Sequence, residues 1–167
     1  VSKFADHLPL HRQEAMLRRA GFDVSRQTMC GWLLRMGAQL TVLADEMLRR
    51  IMLGRHAHVD ETTMPVLAPG KTRKTWVWGV VGGCDAPYSV YRHTPGRGRA
   101  GPLEFLAGFK GVLQTDAYAV YDSLSRCMKL TWAACWAHVR RKFNDALKLT
   151  RSPAARQALD KIGKLYE

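Results

Sequence analysis

His56-Ala57-His58-Val59-Asp60-Glu61-Thr62 is too short for a helix and reads as a strand that ends in polar residues. Alternation places His56 and His58 on one face near Asp60, and sends Glu61 to the other. Downstream, Pro65, Pro69 and Gly70 mark a loop. Thr75-Trp76-Val77-Trp78-Gly79-Val80-Val81 is rich in β-formers, and Gly82-Gly83 offers a turn. Tyr88 to Arg92 is a further strand, so residues 56–93 read as a three-stranded antiparallel meander. Trp76 and Trp78 alternate and read as sheet packing. A mobile basic loop follows from Thr94 to Gly101, carrying Arg97 and Arg99 among three glycines. Pro102 suits the first turn of a helix over about 102–108.

Gly111-Val112-Leu113-Gln114-Thr115-Asp116 is a fourth strand, and it too ends on an acid. A short helix over 117–124, a strand over 130–135, a basic helix over 136–149 and a final helix from Pro153 complete the chain. Three strands and a helix, then strand, helix, strand and helix, is the order of a ribonuclease H-like domain. The expected fold class is therefore α/β, a mixed five-stranded sheet with helices. In that arrangement the first and fourth strands lie side by side, so Asp60 and Asp116 would converge at one rim of the sheet.

Upstream, residues 6–20 carry apolar side chains at helical spacing, and Gly21 breaks the pattern. Ser25 is placed as the N-cap of a second helical stretch at 26–36. This outline fits a helix-turn-helix, in which Arg26, Gln27 and Thr28 would face nucleic acid. It fits an ordinary helical hairpin equally well. Residues 38–53 form one more apolar stripe that Gly54 ends. The division expected is a helical segment at 1–54 and an incomplete ribonuclease H-like domain at 55–167.

Lys and Arg number 26 against 14 acids in 167 residues, a net charge of +12, which favours a polyanionic partner. His138, Arg140, Arg141 and Lys142 on the basic helix, with Arg97 and Arg99 on the basic loop, are candidate DNA contacts. A hydrophobic fraction of 47% argues against wholesale disorder. No apolar run is long enough to span a bilayer, so no membrane partner is expected. Cys30, Cys84, Cys127 and Cys135 form no CxxC pair, which points to free thiols in a reducing cytoplasm. Cys135 and His138 have the spacing of half a metal site, but a buried thiol and a helix-start imidazole explain them better.

Two neighbouring carboxylates repel unless a cation lies between them, and hard oxygen ligands suit Mg²⁺ or Mn²⁺. Taken alone, Asp60 and Asp116 are more readily explained as turn or cap residues. Glu61 reads more naturally as a solvated or ion-paired side chain than as support for the site.

Three blocks carry a family resemblance. They are His58-Val59-Asp60-Glu61-Thr62, Gly111 to Ala119, and Ala134-Cys135-Trp136-Ala137-His138-Val139-Arg140-Arg141-Lys142-Phe143. With Phe4 to Glu14 and Ser25 to Trp32, they resemble the transposase of the insertion sequence 66 family, of DDE type, over essentially the whole chain. The resemblance implies a bacterial enzyme that cuts and joins DNA, acting on element ends and a target with Mg²⁺ or Mn²⁺. It puts the first two metal-binding acids on Asp60 and Asp116. The third, a glutamate in an Asn-Asn-x-x-Glu-Arg type segment, has no counterpart here, and Glu167 lies in a different context. A cysteine-rich zinc segment is also absent. The expectation is a piece of a longer enzyme, inactive by itself and prone to self-association where its sheet is uncovered. The alternatives are a DNA-binding remnant and, further off, a basic RNA-binding module.

Overall fold

The computed structural model describes residues 1–167 as a mixed α/β chain with six helices and a five-stranded mixed sheet. Two compact units divide it, Val1–Glu46 and Met47–Glu167.

In the first unit, α1 (Leu10–Arg19) begins after Pro9 rather than at residue 6. A proline disfavours helical geometry in the residue before it, here Leu8. Helix α2 (Arg26–Leu53) runs 28 residues without a break, where two stretches at 26–36 and 38–53 were expected. Gly37 costs its helix about 1 kcal/mol relative to alanine, too little to interrupt a helix that propagates on both sides. The Ser25 hydroxyl accepts a hydrogen bond from the Thr28 amide at 3.1 Å and so caps α2. Met29 is the buried side chain of this unit.

The break between units falls inside α2, before Gly54, because its last two turns belong to the second unit. Leu48 and Ile51 are buried there, and the Arg50 guanidinium donates to the Tyr88 hydroxyl at 3.1 Å. The sheet that follows has the order β3-β2-β1-β4-β5. Strands β1 (His56–Ala68), β2 (Lys71–Gly82) and β3 (Ser89–Thr94) form the antiparallel meander. Strand β1 passes straight through Pro65, which was expected in a loop, and turns only at Pro69-Gly70. Beyond His58 it has no partner on its β4 side. An open edge of that kind tolerates a residue with no N–H.

Helix α3 (Ala100–Phe105) leads into β4 (Val112–Thr115), which pairs in parallel with β1. Helix α4 (Ala119–Met128) starts after Asp116-Ala117-Tyr118, and β5 (Thr131–Ala134) closes the sheet in parallel with β4. Helices α5 (Trp136–Thr150) and α6 (Pro153–Gly163) pack on each other. At the start of β4 the backbone leaves no room for a side chain. A Cβ on Gly111 would lie 2.3 Å from the Arg55 carbonyl oxygen, the same oxygen that accepts the Val112 amide at 2.8 Å.

Alternation gives the sheet one packed face. Ala57, Val59, Trp78, Val80, Val90, Leu113 and Thr115 are buried on it. Helices α3 and α4 cover that face, where the Trp78 ring meets Phe105 and Tyr121. The opposite face shows His56, His58, Asp60, Val81 and Tyr91, all exposed. His56 and His58 are thus surface residues of the sheet.

Candidate functional site

The parallel ladder between β1 and β4 pairs His56 with Val112, Ala57 with Leu113 and His58 with Gln114. Two residues further along come Asp60, still within β1, and Asp116, one residue past the end of β4. Side chains two apart share a face, so both acids leave the sheet on its open side, from neighbouring strands. On the other flank, Asp60 pairs with Gly79 and Gly79 with Tyr91. Gly79 keeps this row low, since the Tyr91 ring lies 3.5 Å from where its Cβ would be. Asp60, Asp116, Gly79 and Tyr91 line one cavity of about 260 Å³, with His58, Cys135 and His138.

Each carboxylate spends one oxygen on a backbone N–H. Asp60 Oδ1 accepts from the Glu61 amide at 3.0 Å, and Asp116 Oδ1 accepts from the Tyr118 amide at 2.9 Å. That leaves Oδ2 of each for another ligand. His138 enters from the first turn of α5, with Nε2 3.9 Å from Asp60 Oδ2. Its Nδ1 is buried with no hydrogen-bond partner. Helix α5 is held there by its N-cap residue, Cys135, whose amide donates to the Thr115 carbonyl at 2.8 Å. Cys135 and His138 therefore share the cavity of the acids.

The two carboxylate oxygens are hard donors of the kind that suit Mg²⁺ or Mn²⁺, whereas the nearby imidazole is a donor those ions favour less. The chain groups no three His, Cys, Asp or Glu side chains in an arrangement that could hold a metal ion. The residues present fit half of a metal site.

A second cavity of about 300 Å³ adjoins the first, lined by Arg97, Asp116, Tyr118, His138, Val139 and Lys142 among others. Lys142 lies one helical turn beyond His138, so both reach it. Arg140 and Arg141 are exposed on other sides of α5. Arg99 is exposed on its loop and donates to the Ser123 hydroxyl at 3.2 Å. Arg26, Gln27 and Thr28 are exposed in the first turn of α2, in the other compact unit.

Arg97 lies on the loop between β3 and α3 and reaches Glu61. Its Nε donates to Glu61 Oε1 at 2.8 Å, and its Nη2 donates to the same oxygen. The guanidinium also lies over the rings of Trp76, at 4.9 Å, and Tyr118, at 3.8 Å. Glu61 accepts in addition from the Tyr121 hydroxyl. Burial, and then this hydrogen bond, push the Tyr121 phenol far above its ordinary value, so it stays protonated. Trp76 thus packs against an arginine within the sheet edge. The alternation of β1 shows that Glu61 leaves on the side away from Asp60. Its partner, 36 residues later in sequence, carries no local signal.

The class of protein is a mixed α/β domain with two acids on adjoining parallel strands at one open rim. The chain belongs to the transposase IS66 family, whose model matches residues 1–167. Three relatives from Sinorhizobium fredii (strain NBRC 101917 / NGR234) are similar to it. The uncharacterized protein y4qI is 43% identical over 182 residues, covering 100% of this chain and 33% of its own length. The uncharacterized protein y4jD is 35% identical over 181 residues, covering 100% of this chain and 35% of its own. The uncharacterized protein y4hP is 28% identical over 187 residues, covering 99% and 34%. The chain therefore spans about a third of the length of these relatives.

Proposed function

We propose that this chain supplies two of the three acids of a DDE transposase, on a ribonuclease H-like sheet. The parent enzyme breaks and rejoins DNA phosphodiesters at the ends of a bacterial insertion sequence. The observation that carries this is the placing of Asp60 and Asp116, two residues past a parallel ladder, on one cavity. In the first reaction a water oxygen bonds to phosphorus, the bond from phosphorus to the 3′ oxygen breaks, and a 3′-hydroxyl is released. In the second, that hydroxyl oxygen bonds to a phosphorus of the target, the target's own bond from phosphorus to its 3′ oxygen breaks, and a target 3′-hydroxyl is released.

Asp60 and Asp116 would hold Mg²⁺ or Mn²⁺, which when bound supplies Lewis acidity to the phosphoryl oxygens. The chain's own residues do the rest. Lys142 places positive charge beside Asp116 where a backbone phosphate would enter. Arg99, Arg140 and Arg141 extend that charge over the exposed surface. Arg26, Gln27 and Thr28 are the candidate contacts of a helix-turn-helix in the other unit. No helix is long and apolar enough to cross a membrane, and DNA is the partner the charge of +12 suits.

Binding of Mn²⁺ by the 167-residue chain, followed by electron paramagnetic resonance, tests the half-site. D60N and D116N should each weaken it at least about tenfold, since each removes a charged oxygen ligand. Binding unchanged in both variants would sink the assignment. A second reading, a DNA-binding remnant without catalysis, is favoured by the lack of a third carboxylate in the cavity that the pair lines. Metal-dependent nicking of an element-end duplex by this chain would exclude it.

A further inference from the structure

The β1–β4 ladder stops at His58 and Gln114. The two acids lie beyond it, so no backbone hydrogen bond between the strands sets their separation. Another element must hold the end of β4 against the end of β1 if the pair is to share a cation.

Glu61 and Arg97 provide such an element. Glu61 is joined directly to Asp60 yet points to the packed face, where its side chain is 1% exposed. There it receives two donors from Arg97 and one from Tyr121. The Arg97 guanidinium in turn stacks on Tyr118, whose amide holds Asp116 Oδ1. Tyr118 and Tyr121 also meet edge to face. A chain of contacts therefore runs from the residue beside Asp60, through the β3–α3 loop, to the segment that carries Asp116.

We propose that Glu61 and Arg97 are positioning residues, a clamp beneath the sheet that fixes Asp116 against Asp60. The proposal rests on reading the two acids as a metal half-site. The clamp needs arginine in particular. A planar guanidinium can donate in-plane to one carboxylate while its faces lie on Trp76 and Tyr118. A lysine would supply the charge without the stacked geometry. Glu61 must also be charged, because an uncharged partner would no longer hold Arg97 by a charge-assisted bond.

The test compares wild type with E61Q, R97K and Y121F in the 167-residue chain. Mn²⁺ binding is measured by electron paramagnetic resonance, local order by amide hydrogen exchange, and folding by thermal melts. E61Q and R97K should each weaken Mn²⁺ binding about tenfold, as loss of a group supporting metal ligands does. Exchange should rise across residues 94–101 and 116–121 while the β2–β3 amides keep their protection. Y121F, which removes one of three donors to Glu61, should give a smaller change in the same places. A merely electrostatic Arg97 would be rescued by lysine. Wild-type Mn²⁺ affinity with unchanged exchange in R97K would therefore overturn the clamp. Should E61Q fail to fold, R97K and Y121F keep the buried carboxylate with a donor and decide the matter. If wild type takes up no Mn²⁺, the half-site fails, and exchange alone judges the clamp. Faster exchange at 116–121 in R97K then supports it and unchanged exchange refutes it.

Discussion

Asp60 and Glu61 are neighbours in the chain and sit on opposite faces of one sheet, the first 66% exposed and the second 1%. The packed face spends its side chains on burial. Trp78 is fully buried among Phe105, Tyr121 and the aliphatic residues of β1, β2 and β4. The open face leaves its side chains to solvent, with His58, Asp60 and Tyr91 exposed and Asp116 lining the same cavity. One strand serves both because its period is two. The residue that faces solvent beside the cavity and the residue buried beneath it are thus set by a single step along β1.

The largest effect expected from this contrast comes from Trp78→Ala. It should cost about 3–5 kcal/mol, the usual loss for a fully buried aromatic. Tyr91→Ala, across the sheet at 72% exposure, should stay within about 0.5 kcal/mol. Urea melts of the two variants measure both values, and equal losses would dissolve the distinction between the faces. A smaller effect is expected from Gly111→Ala, which favours neither face. Its Cβ would collide with the Arg55 carbonyl, so β4 must shift as a body, at about 1–3 kcal/mol for overpacking. The melt should fall, and amide exchange should rise along β4 and on to the Tyr118 amide that donates to Asp116.

The smallest effect concerns acid. Asp85, in the β2–β3 turn, accepts the Arg55 amide at 2.7 Å. That hydrogen bond above all holds its carboxyl below the ordinary 3.8, with the nearby charges of His56 and Arg55 adding to it. A carboxyl whose value is lowered on folding stabilises the folded state above the unfolded value. The contribution fades as pH falls through the folded one. Melts of D85N against wild type should therefore differ near neutral pH and converge below 3.8. Curves that stay parallel into acid would remove Asp85 from the account.

Much of the β meander was legible in the sequence because β-branched and aromatic runs there are bounded by glycine turns. The neighbouring placement of β1 and β4 followed from element order. Other features depended on partners that local patterns do not report. Pro65 looks like a loop until the neighbouring strand is known to end before it, leaving an open edge. Gly37 looks like a break until the helix on both sides is seen to outweigh it. Glu61 reads as a solvated or ion-paired acid, and an ion pair is what forms; its partner was not legible, because alternation fixes only the face Glu61 leaves by and the arginine lies on a loop distant in sequence. In this molecule, periodicity reports direction, and only the folded chain reports what waits there.

The β1–β2 hairpin carries one more implication. Past Trp76 it has no third strand, so Met64–Ala68 and Lys71–Thr75 form a two-stranded arm with Leu67 89% exposed at its tip. The strand is unbroken from Asp60 to Ala68, a span of roughly 26 Å at about 3.3 Å per residue. The arm is thus a gauge as well as a surface. Whatever meets Lys71, Arg73 and Leu67 at its far end is held at a set distance from the acid row, along the axis of the very strand that carries Asp60.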